Sequence, residues 1–345
     1  MSTSRPRSSG RDRPTQVEPH RRHAGRLLVS VVASLAALVL PPATQAQSFP
    51  SQPIHLIVPF SPGGAVDVVG RTIGDALTKQ TGHPVVVENK TGAGGNIASA
   101  FVARANPDGY TLLVASNSNA YNDFLYANAG YDPAKDLQRV VHIAQVPMVL
   151  LVTPKLPVKT VQDVVDLAKS KPDTLNFGSG GSGTSEHLVY ELFKRKTGIK
   201  AAHVPYRGGG QVYPDLIAGQ VQFFFNNQLG AMPHLKSGQL RAVGLTGTER
   251  SSQLPDLPTF AEQGMPDFTA TVWWGLMAPA GTPRNVVAAL NRMVNEALKQ
   301  PEVAKRLEGL GAEAIGGSPE QYEKFFAAER ATWQQVIKDA DIKVQ

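Results

Sequence analysis

The chain has 345 residues, 42% apolar and 18% charged, with 32 Gly, 26 Pro and no Cys, which is long enough for two domains with sizeable buried cores. The lack of cysteine excludes disulfides, thiolate metal sites, cysteine nucleophiles and a lipid-modified N-terminal cysteine. Residues 1–46 carry seven arginines against Asp12 and Glu18, a net +5 of the chain's +6, so the rest offers no basic patch for nucleic acid.

In chain order, residues 1–26 are basic and Leu27–Leu40 form an apolar run of 14 residues, short of the roughly 20 a membrane-spanning helix needs. Thr44 and Ala46 place small residues before Gln47. This is the layout of a secretory signal peptide cleaved near Ala46-Gln47. Arg21-Arg22 has a poor continuation for twin-arginine export, so the general route is favoured. The mature protein is expected to be periplasmic, soluble and monomeric.

IHLIVPF (54–60) reads as a buried strand closed by Ser61-Pro62-Gly63-Gly64. Residues 66–81 put Val69, Ile73, Ala76 and Leu77 on one helical stripe. Strand 83–90, a TGAGG loop, helix 96–105 and strand 110–115 follow. Strand–helix alternation at this spacing predicts a mostly parallel sheet. It continues with strand 146–154, helix 160–171, strand 175–177, a glycine-rich loop, helix 184–198 and strands at 201–206, 221–225 and 240–246. Thr282-Pro283 starts a helix, and Ser318-Pro319-Glu320-Gln321 is a capping box opening another that runs to about Lys338.

Two glycine loops join a strand end to a helix start: SPGGAVD (61–67) and GSGGSGTS (178–185). Each offers free helix-end amides to an anion, phosphate or carboxylate. Gly178, Gly180 and Gly183 match G-x-G-x-x-G. A dinucleotide site also needs an acid at the end of the next strand, and that strand carries His203 and Arg207 instead. Neither loop contains the Gly-Lys-Ser/Thr of a P-loop. The six histidines of the mature chain (55, 83, 142, 187, 203, 234) include no H-x-x-x-H pair, so neither a metal nor another cofactor is expected. No G-x-S-x-G elbow occurs, and no catalytic residue is assigned. A spatially assembled hydrolase stays open as an alternative.

Read together, PIHLIVPFSPGGAVDVVGR, VVVENKTGAGGNIA, LNFGSGGSGTSEHL, HVPYRGGG, DLIAGQVQFFFN and WWGLMAPAGTP give the chain from about Pro50 onward a resemblance to the receptors of tripartite tricarboxylate transporters, the Bug or TctC family. The resemblance implies an α/β, type II periplasmic-binding fold. Two domains, 47–148 plus 272–345 and 149–271, would be joined by crossovers near 146–154 and 268–276. It also implies a small carboxylate held between them and delivered to membrane permease subunits, with an exported sensory protein as the rival role. Carried over by motif, the ligand-binding residues are Ser61, Pro62, Gly63, Gly64, Asp67, Ser116 and Asn117 on one side. On the other are Gly180, Gly181, Ser182, Gly183, Thr184, Ser185, His187, Tyr206 and Arg207. Asp67 is expected to tie its own loop, because it would repel an anion. Where the family commonly reads Asp-x-x-x-Asp, this chain has Gln222 and Asn226. An Asn226 facing the cleft would add a donor and remove a charge, suiting an additional carboxylate better than an ammonium group.

Overall fold

Buried apolar runs become strands and glycine-bounded stripes become helices throughout residues 49–344, which the computed structural model describes. The export leader expected at residues 1–46 lies outside the described residues. β1 (Ile54–Val58) pairs in parallel with β2 (Val85–Asn89) and β3 (Thr111–Ser116). Between them run α1 (Ala65–Thr81) and α2 (Asn96–Ala103), and α3 (Ser118–Leu125) follows β3. Val69, Ile73 and Leu77 of α1 are fully buried against this sheet, as their spacing demands.

β4 (Leu137–Val152) is 16 residues long and belongs to both halves of the sheet. Through Pro147 it pairs antiparallel with β9 (Thr271–Pro279), and from Met148 onward with β7 (Phe223–Asn227). β8 (Arg241–Leu245) joins it at Val149–Val152 and β10 (Glu313–Gly316) near His142. The strand order is β2-β1-β3-β9-β4-β7-β5-β6, where β5 (Asn176–Ser179) lies parallel to β6 (Ala202–Pro205) and β7. The parallel pairing implied by strand–helix alternation thus holds on the outer strands. The crossing strands in the middle run antiparallel.

The second half of the sheet is dressed by α4 (Val161–Ser170), α5 (Ser185–Thr197), α6 (Val212–Ala218) and α7 (Gln228–Lys236). The chain ends with α8 (Arg284–Leu298), α9 (Pro301–Gly309) and α10 (Pro319–Asp339). Capping boxes open α4 at Thr160/Asp163 and α10 at Ser318/Gln321. Tyr322, Phe326 and Trp333 of α10 share one core with Phe177, Phe193 and Phe225. Glu329 accepts hydrogen bonds from the indoles of both Trp273 and Trp333, each at 2.9 Å, so α10 is tied to β9.

Gly275 of β9 has no space for a side chain: an added Cβ would lie 2.1 Å from the hydroxyl of the buried Tyr322. Gly275→Ala should therefore cost about 1–3 kcal/mol by overpacking, read as a lower urea midpoint at unchanged slope.

Candidate functional site

The first glycine loop leaves the end of β1 and turns into α1, with Gly63 at φ +84° and Gly64 as an N-cap that has no side-chain hydrogen bond. Asp67 holds it in place. Its carboxylate accepts from the Gly63 amide (2.9 Å), from Arg71 Nε (3.0 Å) and from Asn89 Nδ2 (2.9 Å). Asn89 Nδ2 also donates to Phe60 O at 2.9 Å. Burial alone would raise the Asp67 pKa, but these bonds outweigh it and hold it at about 2. Asp67 therefore ties its own turn, and the Gly63 amide, expected to meet a ligand, is already occupied. Ser61, Pro62, Gly63 and Gly64 are exposed.

The second loop is bolted from behind. Gly183 N–H donates to His187 Nδ1 (3.1 Å), and the His187 ring stacks on His203 at 3.9 Å and 11°. His203 Nε2 lies 2.6 Å from Ser179 Oγ, which accepts from the Gly181 amide at 3.1 Å. Thr184 Oγ1 donates to Gly181 O at 2.8 Å. Gly180 has to be glycine here, because a Cβ would sit 2.9 Å from the Gly209 amide nitrogen. The amides of Gly181 and Gly183 thus stabilise the loop and are not free donors. What remains open are the side chains of the loop and the first-turn amides of α5, which have no intrahelical acceptor.

A cavity of about 290 Å³ lies between the two halves. Ser182, Gly183, Thr184, Ser185 and Glu186 wall it on one side. Phe60, Gly94, Ser118, Tyr121, Asn122, Leu125 and Tyr126 face them, with Val344 at the edge. Tyr121 Oη and Ser185 Oγ are 3.2 Å apart across it. Asn122 Nδ2 donates to Gly94 O at 2.9 Å. Four residues of the anticipated set therefore line the cavity: Ser182, Gly183, Thr184 and Ser185. The other members of that set are not on its wall.

Several of those others are committed elsewhere. Asn117 donates to Thr271 O (2.8 Å) and accepts from Trp273 N (2.8 Å), so it fastens β9 where the chain crosses between halves. Ser116 Oγ stands 3.0 Å from Ser118 Oγ, one step behind the wall. His187 is buried in the stack. Tyr206 donates to Asp215 at 2.6 Å, and Arg207 is exposed. Asn226 is buried and does not present its amide to the cleft: Nδ2 donates to Tyr213 Oη (2.9 Å), and Oδ1 accepts from the Asn227 amide. The reading of Asn226 as an added ligand donor is corrected accordingly.

Sequence reading missed Tyr121 and Asn122 of α3 and Tyr126 just after it, together with Gly94 and Glu186. The signal available was the Tyr-Asn-Asp-Phe-Leu-Tyr run, which puts Tyr121, Asn122 and Leu125 on one face once a helix is drawn there. No Lys, Arg or His lines the cavity, and no cluster of metal-ligating side chains occurs among the described residues.

A two-half α/β structure with a cavity at the crossing is the architecture of periplasmic binding proteins, among them BugD, matched with a TM-score of 0.69 at 31% identity over 86% of this chain and 100% of that one. The chain belongs to the tripartite tricarboxylate transporter family receptors, whose family profile matches residues 69–342. It is 38% identical over 311 residues to the UPF0065 protein in the tcbD-tcbE intergenic region of Pseudomonas sp. strain P51, covering 89% of this chain and 93% of the relative. BugT of Bordetella pertussis is 35% identical over 322 residues, 93% and 99% of the two chains. R. palustris Rpa4515 with adipate superposes with a TM-score of 0.72 at 37% identity, covering 86% of this chain and 99% of that one. MatC (Rpa3494) from Rhodopseudomonas palustris with bound malate gives 0.67 at 33%, over 84% and 100%.

Burial holds both His187 and His203 down at about 4, so they are neutral in the folded protein. Between about pH 6.5 and 4 the unfolded chain binds protons that the folded one refuses, so stability is full above this window and declines with acid. The two shifts together amount to about 6 kcal/mol, and solvent screening of the incompletely buried rings brings the expected loss to roughly half of that, measured as urea midpoints across that range. His203→Phe, which keeps the stack, should remove about half of the slope.

Proposed function

We propose that the chain is an extracytoplasmic receptor that captures a small organic carboxylate between its two halves and hands it to the membrane subunits of a tripartite transporter. The observation that carries this reading is the cavity itself, in which the start of α5 and the loop before it face α3 and Gly94. The two domains are taken as residues 47–148 plus 272–345 and residues 149–271, meeting where β4 passes from β9 to β7. Residues 1–46 are taken as an export leader, and no described helix is long and apolar enough to cross a membrane. The adipate and malate named for two related structures support a carboxylate ligand.

The physics is sufficient without a cationic clamp. Hydrogen bonds to a charged partner contribute about 1.5–3 kcal/mol each. Five or six of them, from hydroxyls and helix-end amides, can offset desolvation and lost freedom and leave roughly −8 kcal/mol, a micromolar affinity. Movement of the halves about β4 and β9 would complete the donor set around the ligand. Ligand is bound, released and left chemically unchanged.

Calorimetry of the mature protein against a carboxylate panel that includes adipate and malate tests this. A true ligand at 100 times its dissociation constant should stabilise the fold by about 2.7 kcal/mol and be recovered intact. Ser185→Ala, which removes a wall hydroxyl, should weaken that ligand by about 1.5–3 kcal/mol. Unchanged affinity in Ser185→Ala, or turnover of the ligand, would sink the reading.

A further inference from the structure

Glu186 is the one ionisable carboxyl on the cavity wall. It sits on the first turn of α5, and its Oε1 lies 3.2 Å from where a Cβ on Gly209 would stand. No cationic side chain lines the cavity whose wall it joins. Burial dominates the environment of its carboxyl and raises its pKa. A site for an anion that holds an acid and no cation is a contradiction unless the acid has a use.

We propose that Glu186 is the specificity-determining residue of the cavity: one carboxylate of a bound dicarboxylate meets it, and the two groups share a proton taken up from bulk buffer on binding. This deepens the receptor reading and rests on it. Two carboxylates side by side in a shielded site cannot both stay ionised, and a single shared proton resolves the repulsion. The product is an O–H···O⁻ bond, roughly twice as strong as one between neutral groups. The balance is simple: the free dianion plus one proton enters, and both leave together when the ligand departs.

The surroundings leave Glu186 as the group that titrates. Tyr121 of α3 and Tyr213 of α6 are phenols pushed up by burial. Tyr126, at the end of α3, brings a third phenol. On its own helix His187 is held at about 4, as is His203 from β6. Asp67, on the loop of the other half, is paired with Arg71. Exposed Arg207, in the loop next to Gly209, carries a fixed charge.

Calorimetric titration of the mature protein with adipate between about pH 6 and pH 8, in two buffers of different ionisation heat, reads proton uptake directly. The wild type should take up about one proton per adipate, with a dissociation constant that rises up to about tenfold per pH unit. Glu186→Gln keeps the shape and a donor but cannot titrate. It should bind adipate with a flat pH profile and no proton uptake, about tenfold or more tighter than wild type at the alkaline end, with unchanged thermal unfolding as a control. A wild type that binds adipate with a flat profile and no uptake overturns the proposal while leaving the receptor reading intact. So does Glu186→Gln losing adipate while the wild type prefers 2-aminoadipate, which would make Glu186 the counter-charge of an ammonium. If no acid of the panel binds the wild type at any pH, the receptor reading falls and the proposal falls with it.

Discussion

Everything in this molecule depends on one strand serving two sheets. β4 exchanges backbone hydrogen bonds with β9 through Pro147 and with β7 from Met148 on. The same strand thus carries both ladders, and the two halves of the sheet are joined through unbroken backbone at the Pro147-Met148 seam. Asn117 reinforces the seam by satisfying the backbone of Thr271 and Trp273 where β9 returns. A buried amide committed in this way is costly to lose, since both backbone groups would be left unpaired. The seam also decides where the cavity is, because the loops at the strand ends on either side are thereby brought face to face.

The cavity wall combines hydroxyls and one carboxyl with aromatic and aliphatic side chains and carries no base, which changes how recognition must operate. Many of the glycine-loop amides that look available to an anion are spent on the loops: Gly63 on Asp67, Gly183 on His187, Gly181 on Ser179. The glycines serve mainly to let these turns close tightly, as Gly180 does against Gly209. Selectivity then falls to hydroxyls, the exposed first-turn amides of α5 and the one carboxyl among them. Neutral donors discriminate by number and direction, while an acid among them discriminates by charge.

Much of this was legible in the sequence, and the losses have physical causes. β1, α1, β3 and α5 were readable to within a residue or two, because their apolar spacing is strong and glycines bound them. The first nine residues of β4 were not, since Gln138, Arg139, His142 and Gln145 interrupt the apolar run. Arg139 is buried nonetheless, with its guanidinium 4.5 Å from the Phe326 ring. α3 begins with Ser-Asn-Ala and α7 contains Pro233, so propensity argued against both. For the site, motif likeness pointed to two loops, of which only the second contributes anticipated residues to the cavity wall. Whether Asn226 faces a ligand or Tyr213 is decided by tertiary packing, and no spacing in the chain encodes it.

The three tryptophans of the chain, Trp273, Trp274 and Trp333, stand only on β9 and α10, and two of them share the carboxylate of Glu329. The protein thus carries its own optical gauge. Indole emission responds to local charge and polarity, so any change around the Glu329 carboxylate would register in intrinsic fluorescence with no dye attached. A chain without cysteine leaves that native signal free of competing thiol quenchers.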